Sequence, residues 1–259
     1  MKTVIDGLTV NYLDEGQGIP VVLLHGWGCN SSHWAPVTAA LQENHRVIVP
    51  DVPGFGESSE PPEVWGTAQY ADFFSKFFAE LGLEKPVVAG HSNGGRIAIE
   101  LGARGLCSRI LLTDSAGIKP KRSADYYLKV YSYKVMKKAL SLPGLKGRKE
   151  EILEKRRKKT GSTDYKAASP RMRQVMSTVV NEDLTPQLAQ ITAPTLLVWG
   201  SEDTATPLAD GELMEKILKK SGSDTALIVF QGRTHFAFLE ECSRFNKIFA
   251  AFIQPLEVK

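Results

Sequence analysis

One short segment constrains the fold of this chain more than any other: residues 90–94, which read Gly-His-Ser-Asn-Gly. The apolar run Pro86–Ala89 before it is typical of a buried strand, and the stretch from Arg96 to Leu101 after it is typical of a helix. A strand, a Gly-x-Ser-x-Gly turn and a helix in this order form a nucleophile elbow. The turn is tight enough to require glycine on both sides of the serine. The segment therefore predicts that Ser92 stands at a helix N-terminus, where negative charge is favoured.

A serine hydroxyl becomes a strong nucleophile only beside a base that a third group orients. After this kind of turn, the acid and then the histidine follow later in the chain. The apolar run Pro194–Gly200 predicts a strand that ends before Asp203, and the run Ala226–Phe230 predicts another that ends before His235. Because open α/β sheets bind ligands at the carboxyl ends of their strands, we expect Ser92, Asp203 and His235 to meet there.

Other residues of the same types compete for these positions. Glu202 directly precedes Asp203, and Asp114 follows a predicted strand from Arg109 to Thr113, from which it could also reach the histidine. The other histidines are expected to be structural within turns (His25 and His91) or exposed beside a predicted helix (His33 and His45).

Two backbone N–H groups are candidates for binding a developing oxyanion, each contributing roughly 3 kcal/mol. One belongs to Asn93, the residue after the serine. The other belongs to Trp27, in the loop His25–Gly28 that follows the predicted strand Val21–Leu24. The position of this loop directly after a strand favours the functional interpretation over a plain turn.

The chain resembles the α/β-hydrolase superfamily over nearly its whole length. The motifs that carry the resemblance are His25–Gly28, Asp51–Ser58, Gly90–Gly94, Trp199–Gly200 with Asp203 and Pro207, and Gly232 with His235. The resemblance implies an α/β-hydrolase fold in which Ser92, Asp203 and His235 form a catalytic triad. It also implies that the segment around Phe55 supports the oxyanion loop.

Within the superfamily, the His25–Gly28 loop with Asn30 and Trp34 is most similar to that of pimeloyl-carrier-protein methyl ester esterases, and also to that of meta-cleavage C–C hydrolases. Asn93 stands where an apolar residue is usual in the first group. The implied function is hydrolysis of a carboxylic ester, with C–C bond hydrolysis or ligand binding as alternatives. Dehalogenases and epoxide hydrolases are disfavoured because both use an aspartate in the place of Ser92.

The alternation of apolar patterns predicts a mostly parallel, eight-stranded sheet with helices on both faces. The predicted strands cover residues 2–5, 8–14, 20–24, 46–50, 86–90, 108–113, 194–199 and 225–230, and the predicted helices cover 33–42, 68–82, 93–103, 183–190, 208–220 and 240–253. The first two strands are expected to form a hairpin at Asp6–Gly7, and helical crossovers to join the rest. Residues 117–182 lack a strand pattern and predict a helical cap over the strand ends, inserted into an α/β core of residues 1–116 and 183–259.

The predicted cap is strongly basic. Residues 117–180 hold 18 Lys or Arg against 5 Asp or Glu, a net charge of +13 in a chain of net charge +3. Such asymmetry is typical of a protein with an anionic partner, although a solvated helix face gives the same pattern. The candidate partners are an acidic acyl carrier protein, a carboxylate-bearing or phosphorylated substrate, and an anionic membrane surface. Nucleic acid ranks last because no recognition motif accompanies the charge.

The remaining composition narrows the class of protein. The chain has no apolar run near the ~20 residues of a membrane span and no apolar signal segment near Met1. Its 3 cysteines are too few and too widely spaced for a disulfide framework or a metal site. The expectation is a cytoplasmic serine hydrolase that needs no metal or organic cofactor.

Overall fold

The computed structural model describes residues 1–120, 131–132 and 168–254. The strands are β1 (Lys2–Ile5), β2 (Leu8–Glu15), β3 (Ile19–Leu24), β4 (His45–Pro50), β5 (Val87–His91), β6 (Arg109–Thr113), β7 (Thr195–Gly200) and β8 (Thr225–Phe230). The described helices are α1 (Ala35–Leu41), α2 (Thr67–Glu80), α3 (Asn93–Ala103), α4 (Pro170–Val179), α5 (Thr185–Leu188), α6 (Leu208–Lys220), α7 (Ala237–Glu240) and α8 (Cys242–Ile253), and a 3₁₀ turn (Ser31–Trp34) precedes α1.

The strands form one sheet in the order β1-β2-β4-β3-β5-β6-β7-β8, so the predicted eight-stranded α/β architecture is confirmed. Only β2 runs against the other strands of the sheet, because it pairs antiparallel with both β1 and β4. The β1–β2 hairpin turns at Asp6 and Gly7, whose φ angles of 49° and 79° are those of the two-residue turn that matches strand twist.

One connection differs from the expected helical crossovers. Only residues 16–18 separate β2 from β3, yet β3 pairs with β4 and β5 rather than with β2. The glycines at both ends of this connection have φ angles of 78° and 110°, which lets the chain pass close to the backbone at the start of β4. A methyl group on Gly18 would lie 2.8 Å from the carbonyl oxygen of Asn44, just before that strand.

Both faces of the sheet are covered. On one face, α1 and α8 pack against alternate strand residues, and the cluster includes Leu23, Val49, Leu111, Phe245 and Phe249, all fully buried. On the other face, α3 packs against β3, β5 and β6 and against α2 and α5. Because both faces are apolar, the strands are nearly continuous hydrophobic runs, as in other buried parallel sheets.

The carboxyl ends of the central strands are aligned. Leu24 at the end of β3 pairs with Gly90 on β5, and Thr113 on β6 pairs with both His91 and Val198. The strand order also reverses here, since β4 lies on one side of β3 and β5 on the other. Crevices at such switch points are the usual binding sites of open α/β sheets.

The chain divides into two compact units, residues 1–118 with 182–259 and residues 119–181. In the second unit, α4 begins at Pro170, and the Ser169 side chain accepts the N–H of Met172 as an N-cap. The basic run Lys155–Lys159 and most of the predicted cap lie outside the described residues, so a helical cap over the site stays a prediction.

Two further expectations from the sequence can be compared with the described residues. The expectation of an exposed His45 was wrong: its side chain is buried, and its Nδ1 lies 3.3 Å from the carbonyl oxygen of Leu41. Among the described helices, none has the length and apolar character needed to cross a bilayer.

Candidate active site

The serine of the Gly-His-Ser-Asn-Gly segment occupies a strained turn between β5 and α3. Its backbone angles, φ 51° and ψ −114°, lie in a region that residues with side chains rarely adopt. Such a conformation costs about 1–3 kcal/mol and persists only where its surroundings enforce it. Here the Ser92 N–H donates to the carbonyl oxygen of Thr113, and the Ser92 carbonyl accepts the N–H groups of Gly95 and Ala116. The end of β6 therefore holds the backbone of Ser92 in place.

Close packing explains the glycines around Ser92. A methyl group on Gly90 would meet the backbone of Gly94 at 2.5 Å, and a methyl group on Gly94 would overlap the carbonyl oxygen of Leu24. The α3 N-terminus is thus pressed against the ends of β3 and β5. As a result, the Ser92 hydroxyl stands at the positive end of an 11-residue helix.

The structure brings together the three side chains predicted to interact. The Nε2 atom of His235 lies 2.9 Å from the Oγ atom of Ser92, across 143 residues of sequence. Its Nδ1 atom lies 2.8 Å from Oδ2 of Asp203. Because a carboxylate only accepts, Nδ1 carries the ring proton, and Nε2 is left to accept the proton of the serine hydroxyl.

Several donors hold the Asp203 carboxylate, whose side chain is fully buried. Its Oδ1 accepts the N–H groups of Ala205 at 2.7 Å and Thr206 at 3.0 Å, and its Oδ2 accepts the Thr206 hydroxyl at 2.6 Å. Burial by itself raises the pKa of Asp203, but the hydrogen bonds from His235 and Thr206 outweigh it and lower the pKa below its usual value. Asp203 is therefore ionised at neutral pH.

The loop that carries His235 is braced from the following helices. The Glu240 carboxylate accepts both the N–H of Thr234, at 3.0 Å, and its hydroxyl, and the Glu241 carboxylate accepts Nε of Arg233 at 2.9 Å. Where the loop leaves β8, the N–H of Gly232 donates to the Ser201 hydroxyl at 2.8 Å. Together these bonds hold residues 232–234, the segment that directly precedes the imidazole.

The loop after β3 lies directly against Ser92. A methyl group on Gly26 would come within 3.2 Å of the Cβ atom of Ser92 and within 2.8 Å of the His91 ring, so only glycine allows this approach. The next residue is Trp27, whose ring packs edge-on against Phe55 at 4.8 Å. Among the residues that the structure describes, none accepts a hydrogen bond from the N–H groups of Trp27 or Asn93. Within the described residues, these two N–H groups therefore have no acceptor.

The competing acids are placed differently. Glu202 is exposed, and its N–H donates to the carbonyl oxygen of Arg233. Asp114 is fully buried, but its carboxylate accepts the backbone N–H groups of Gly200 and Ala237 rather than a proton from His235. Asp203 is thus the carboxylate that pairs with His235 in this structure.

Two other histidines flank the site with opposite hydrogen-bonding patterns. His25 donates from Nδ1 to the carbonyl oxygen of Gly26 at 2.8 Å and accepts the N–H of Val52 at Nε2. His91 donates from Nε2 to the carbonyl oxygen of His235 at 2.8 Å. Burial lowers the pKa of His25 to about 4 and that of His91 to about 3, so both rings are neutral. His91 links the serine turn to the histidine loop.

Sequence reasoning did not identify Thr206 or Glu240. The Asp203–Thr206 spacing does carry a local signal, because an aspartate that accepts the N–H groups two and three residues later is a common turn. The Glu240 contact spans 6 residues and leaves no comparable motif. In the described parts of the chain, no cluster of three or more His, Cys, Asp or Glu side chains is arranged to hold a metal ion.

Comparison with known proteins finds a matching family and similar sequences. The profile of the alpha/beta hydrolase family matches residues 21–248. The pimeloyl-[acyl-carrier protein] methyl ester esterase of Legionella pneumophila (strain Paris) is 28% identical over 263 residues, which cover 94% of this chain and 99% of the esterase.

Solved structures share the fold. A membrane phospholipase A, described as a bacterial virulence factor, superposes with a TM-score of 0.75 at 26% identity, covering 98% of this chain and 84% of the phospholipase. A meta-cleavage product hydrolase from Pseudomonas fluorescens IP01 superposes with a TM-score of 0.72 at 23% identity, covering 97% of this chain and 96% of that one.

Proposed function

Because the chain belongs to the α/β-hydrolase family, we propose that it is a serine hydrolase that cleaves carboxylic esters through an acyl-enzyme. The observation that carries the proposal is the continuous hydrogen-bonded line from Ser92 through His235 to Asp203, with distances of 2.9 and 2.8 Å. A nucleophile, a base and an orienting acid in such a line are the elements that serine acyl transfer requires.

In the proposed first half-reaction, the Ser92 hydroxyl attacks the ester carbonyl while Nε2 of His235 takes its proton. Asp203 keeps the other ring proton on Nδ1 and stabilises the imidazolium that forms. The N–H groups of Trp27 and Asn93 bind the oxyanion of the tetrahedral intermediate. Two such donors in a preorganised site usually provide a large part of the rate enhancement.

The intermediate then collapses, and His235 gives its proton to the leaving alkoxide. Water enters, the same imidazole takes one of its protons, and the hydroxide attacks the acyl-enzyme through a second oxyanion. The proton returns to Ser92 Oγ as the acid leaves. Every proton in this cycle is carried by His235, so the proposed cycle needs no second base.

The substrate class follows from two weaker observations. The Legionella relative is named for a methyl ester carried by an acyl carrier protein, and residues 117–180 of this chain carry a net charge of +13. Acyl carrier proteins are acidic, and complementary charge accelerates association. We extend the proposal to an acyl ester presented by an acidic carrier or bearing its own anionic group.

The proposal is tested by replacing Ser92 with alanine. Turnover of p-nitrophenyl esters is expected to fall by roughly 10³-fold or more, because no other group can form the acyl-enzyme. Labelling by a serine-directed fluorophosphonate is expected to disappear as well. The matched control is Ser75→Ala on α2, which removes a hydroxyl from a helix and is expected to change neither readout.

Three outcomes would count against the proposal. Full turnover in Ser92→Ala would remove the proposed nucleophile. A wild-type protein that is labelled at Ser92 but turns over none of a panel of esters, with or without an acyl carrier protein, would be a ligand-binding member of the family. Turnover confined to a vinylogous diketone would identify a C–C bond hydrolase.

A further inference from the structure

Asp114 is a buried carboxyl group that the proposed reaction does not use. It follows β6 directly, in the left-handed conformation (φ 45°), and its exposed fraction is 0%. Since β6 lies between β5, which leads to Ser92, and β7, which leads to Asp203, this residue stands between the two halves of the site. Its N–H donates to the carbonyl oxygen of Val198 on β7.

The two oxygens of this carboxylate bind two different segments. Oδ1 accepts the N–H of Gly200 at 2.8 Å, and Gly200 ends β7 three residues before Asp203. Oδ2 accepts the N–H of Ala237 at 3.1 Å, two residues after His235. The carbonyl oxygen of Asp114 also lies 3.0 Å from the Thr206 hydroxyl that binds Asp203. One side chain thus joins the segment of the acid to the segment of the histidine.

We propose that Asp114 is a positioning residue that sets the distance between Asp203 and His235 by holding the backbone on either side of them. The inference rests on the proposed hydrolysis for its kinetic consequence. It does not make Asp114 a substitute acid, because both of its oxygens accept backbone N–H groups while His235 donates to Asp203. A shift of one segment by a fraction of an ångström weakens the bond that orients the imidazole, and misplacement of a base slows the reaction.

The electrostatics of the position disfavour the charged form of Asp114. Burial raises the pKa of Asp114 to about 7, and the nearby charge of Asp203 acts in the same direction. An apolar residue at this position would leave the buried N–H groups of Gly200 and Ala237 without an acceptor, which is unfavourable, whereas a carboxyl group with two acceptor oxygens binds both.

The test is Asp114→Asn. Asparagine tolerates the left-handed conformation, but it has one acceptor oxygen, so its NH₂ group faces one of the two backbone donors. We expect kcat for a p-nitrophenyl ester to fall by about 10-fold to 100-fold, with KM changed by less than roughly threefold. We also expect the downfield proton resonance of Nδ1–H of His235 in the NMR spectrum to shift or broaden.

Asp51→Asn is the matched control. Asp51 is also buried, with 2% exposed, and its carboxylate accepts the N–H groups of Ser31 at 2.7 Å and Glu57 at 2.9 Å. None of these partners belongs to the segments that carry Asp203 or His235. Asp51→Asn is therefore expected to lower the melting temperature while leaving the His235 resonance unchanged.

A folded Asp114→Asn protein with an unchanged His235 resonance and unchanged kcat would overturn the proposal. If that variant does not fold, Asp114→Gly, which keeps the positive φ and removes both acceptors, is read by the same two measurements. The resonance is recorded without substrate, so it tests the positioning role even if the wild type hydrolyses no ester. In that event the proposed function fails and the inference about Asp114 is judged by NMR alone.

Discussion

The serine turn and the acid–histidine pair are held by different kinds of interaction. The turn at residues 90–94 is fixed by backbone packing so close that methyl groups on Gly90 or Gly94 would collide with atoms of Gly94, Leu24 or His25. Asp203 and His235 lie instead in segments whose backbone N–H groups donate to carboxylates outside those segments: Gly200 and Ala237 donate to Asp114, and Thr234 donates to Glu240.

This difference has a structural reason. A strained nucleophile turn needs rigid walls, and here close backbone packing provides them together with the backbone hydrogen bonds of Ser92. A base must keep its orientation while its charge changes during the reaction, and directional hydrogen bonds control orientation better than packing does. His91 also connects the two regions, since it precedes Ser92 and donates to the carbonyl oxygen of His235.

Gly94→Ala should produce the largest loss of stability, because it adds a methyl group inside the closely packed turn. The added methyl overlaps the Leu24 carbonyl oxygen, and overpacking against backbone is expected to lower the free energy of unfolding by about 3 kcal/mol or more. Urea denaturation measures this loss, and fluorophosphonate labelling of Ser92 should fall with it.

Gly82→Ala separates crowding from backbone strain. Gly82 has a φ of 65° but no atom within 4 Å of an added methyl group. Strain alone predicts a loss of about 1–2 kcal/mol with normal labelling. Equal losses in the two variants would show that close packing is not what fixes the serine turn.

Thr206→Val should have an intermediate effect, confined to the hydrogen-bonded region. It removes the hydroxyl that donates to Oδ2 of Asp203 at 2.6 Å but keeps the backbone N–H. We expect kcat to fall by about 10-fold and stability by about 1 kcal/mol. Because this bond helps to lower the pKa of Asp203, the stability difference should be complete above about pH 4 and shrink as the pH falls through the lowered pKa.

Thr225→Val is the matched control for that experiment. Both threonines are 8% exposed. Thr225 donates to the hydroxyl of Ser223 at 2.9 Å, at the start of β8 and so at the end of that strand away from His235. A similar loss of stability with unchanged kcat is expected. If the two variants had the same kcat, the Thr206 hydroxyl would have no part in orienting Asp203.

The smallest effect concerns the two neutral histidines, and it is spectroscopic. Burial lowers the pKa of His25 to about 4 and that of His91 to about 3, so neither ring should titrate between about pH 5 and 8. Nitrogen-15 NMR should find the proton on Nδ1 of His25 and on Nε2 of His91, as their carbonyl partners require. A His91 midpoint within that pH range, or a His91 proton on Nδ1 instead of Nε2, would contradict the assignment of His91 as a link between the regions.

Local patterns predicted most of the fold. Each strand was expected within one residue of its observed bounds, because continuous apolar runs flanked by turns are hard to mistake. The pairing of β2 with β4 was not predictable, since it depends on which edge a short connection leaves free. The helix expected over 240–253 proved to be two, α7 and α8, separated at Glu241, whose φ of −123° and ψ of 46° are not helical.

The candidate site divides in the same way. Ser92 and its glycines could be identified from their spacing, and Asp203 and His235 from their positions after strands. The sequence could not show that Asp114 binds both neighbouring segments, because its partners are 86 and 123 residues away and are backbone N–H groups. A backbone partner leaves no trace in residue type, so only the fold can identify such a contact.

The 143-residue separation between Ser92 and His235 has a consequence for biosynthesis. Translation proceeds from the N-terminus at about 5–20 residues per second, so the serine leaves the ribosome several seconds before its base exists. During that interval β8, which leads to the imidazole, cannot yet pair with β7. A nascent chain therefore carries an inert hydroxyl, and the serine becomes reactive only when β8 has paired with β7 at the edge of the sheet.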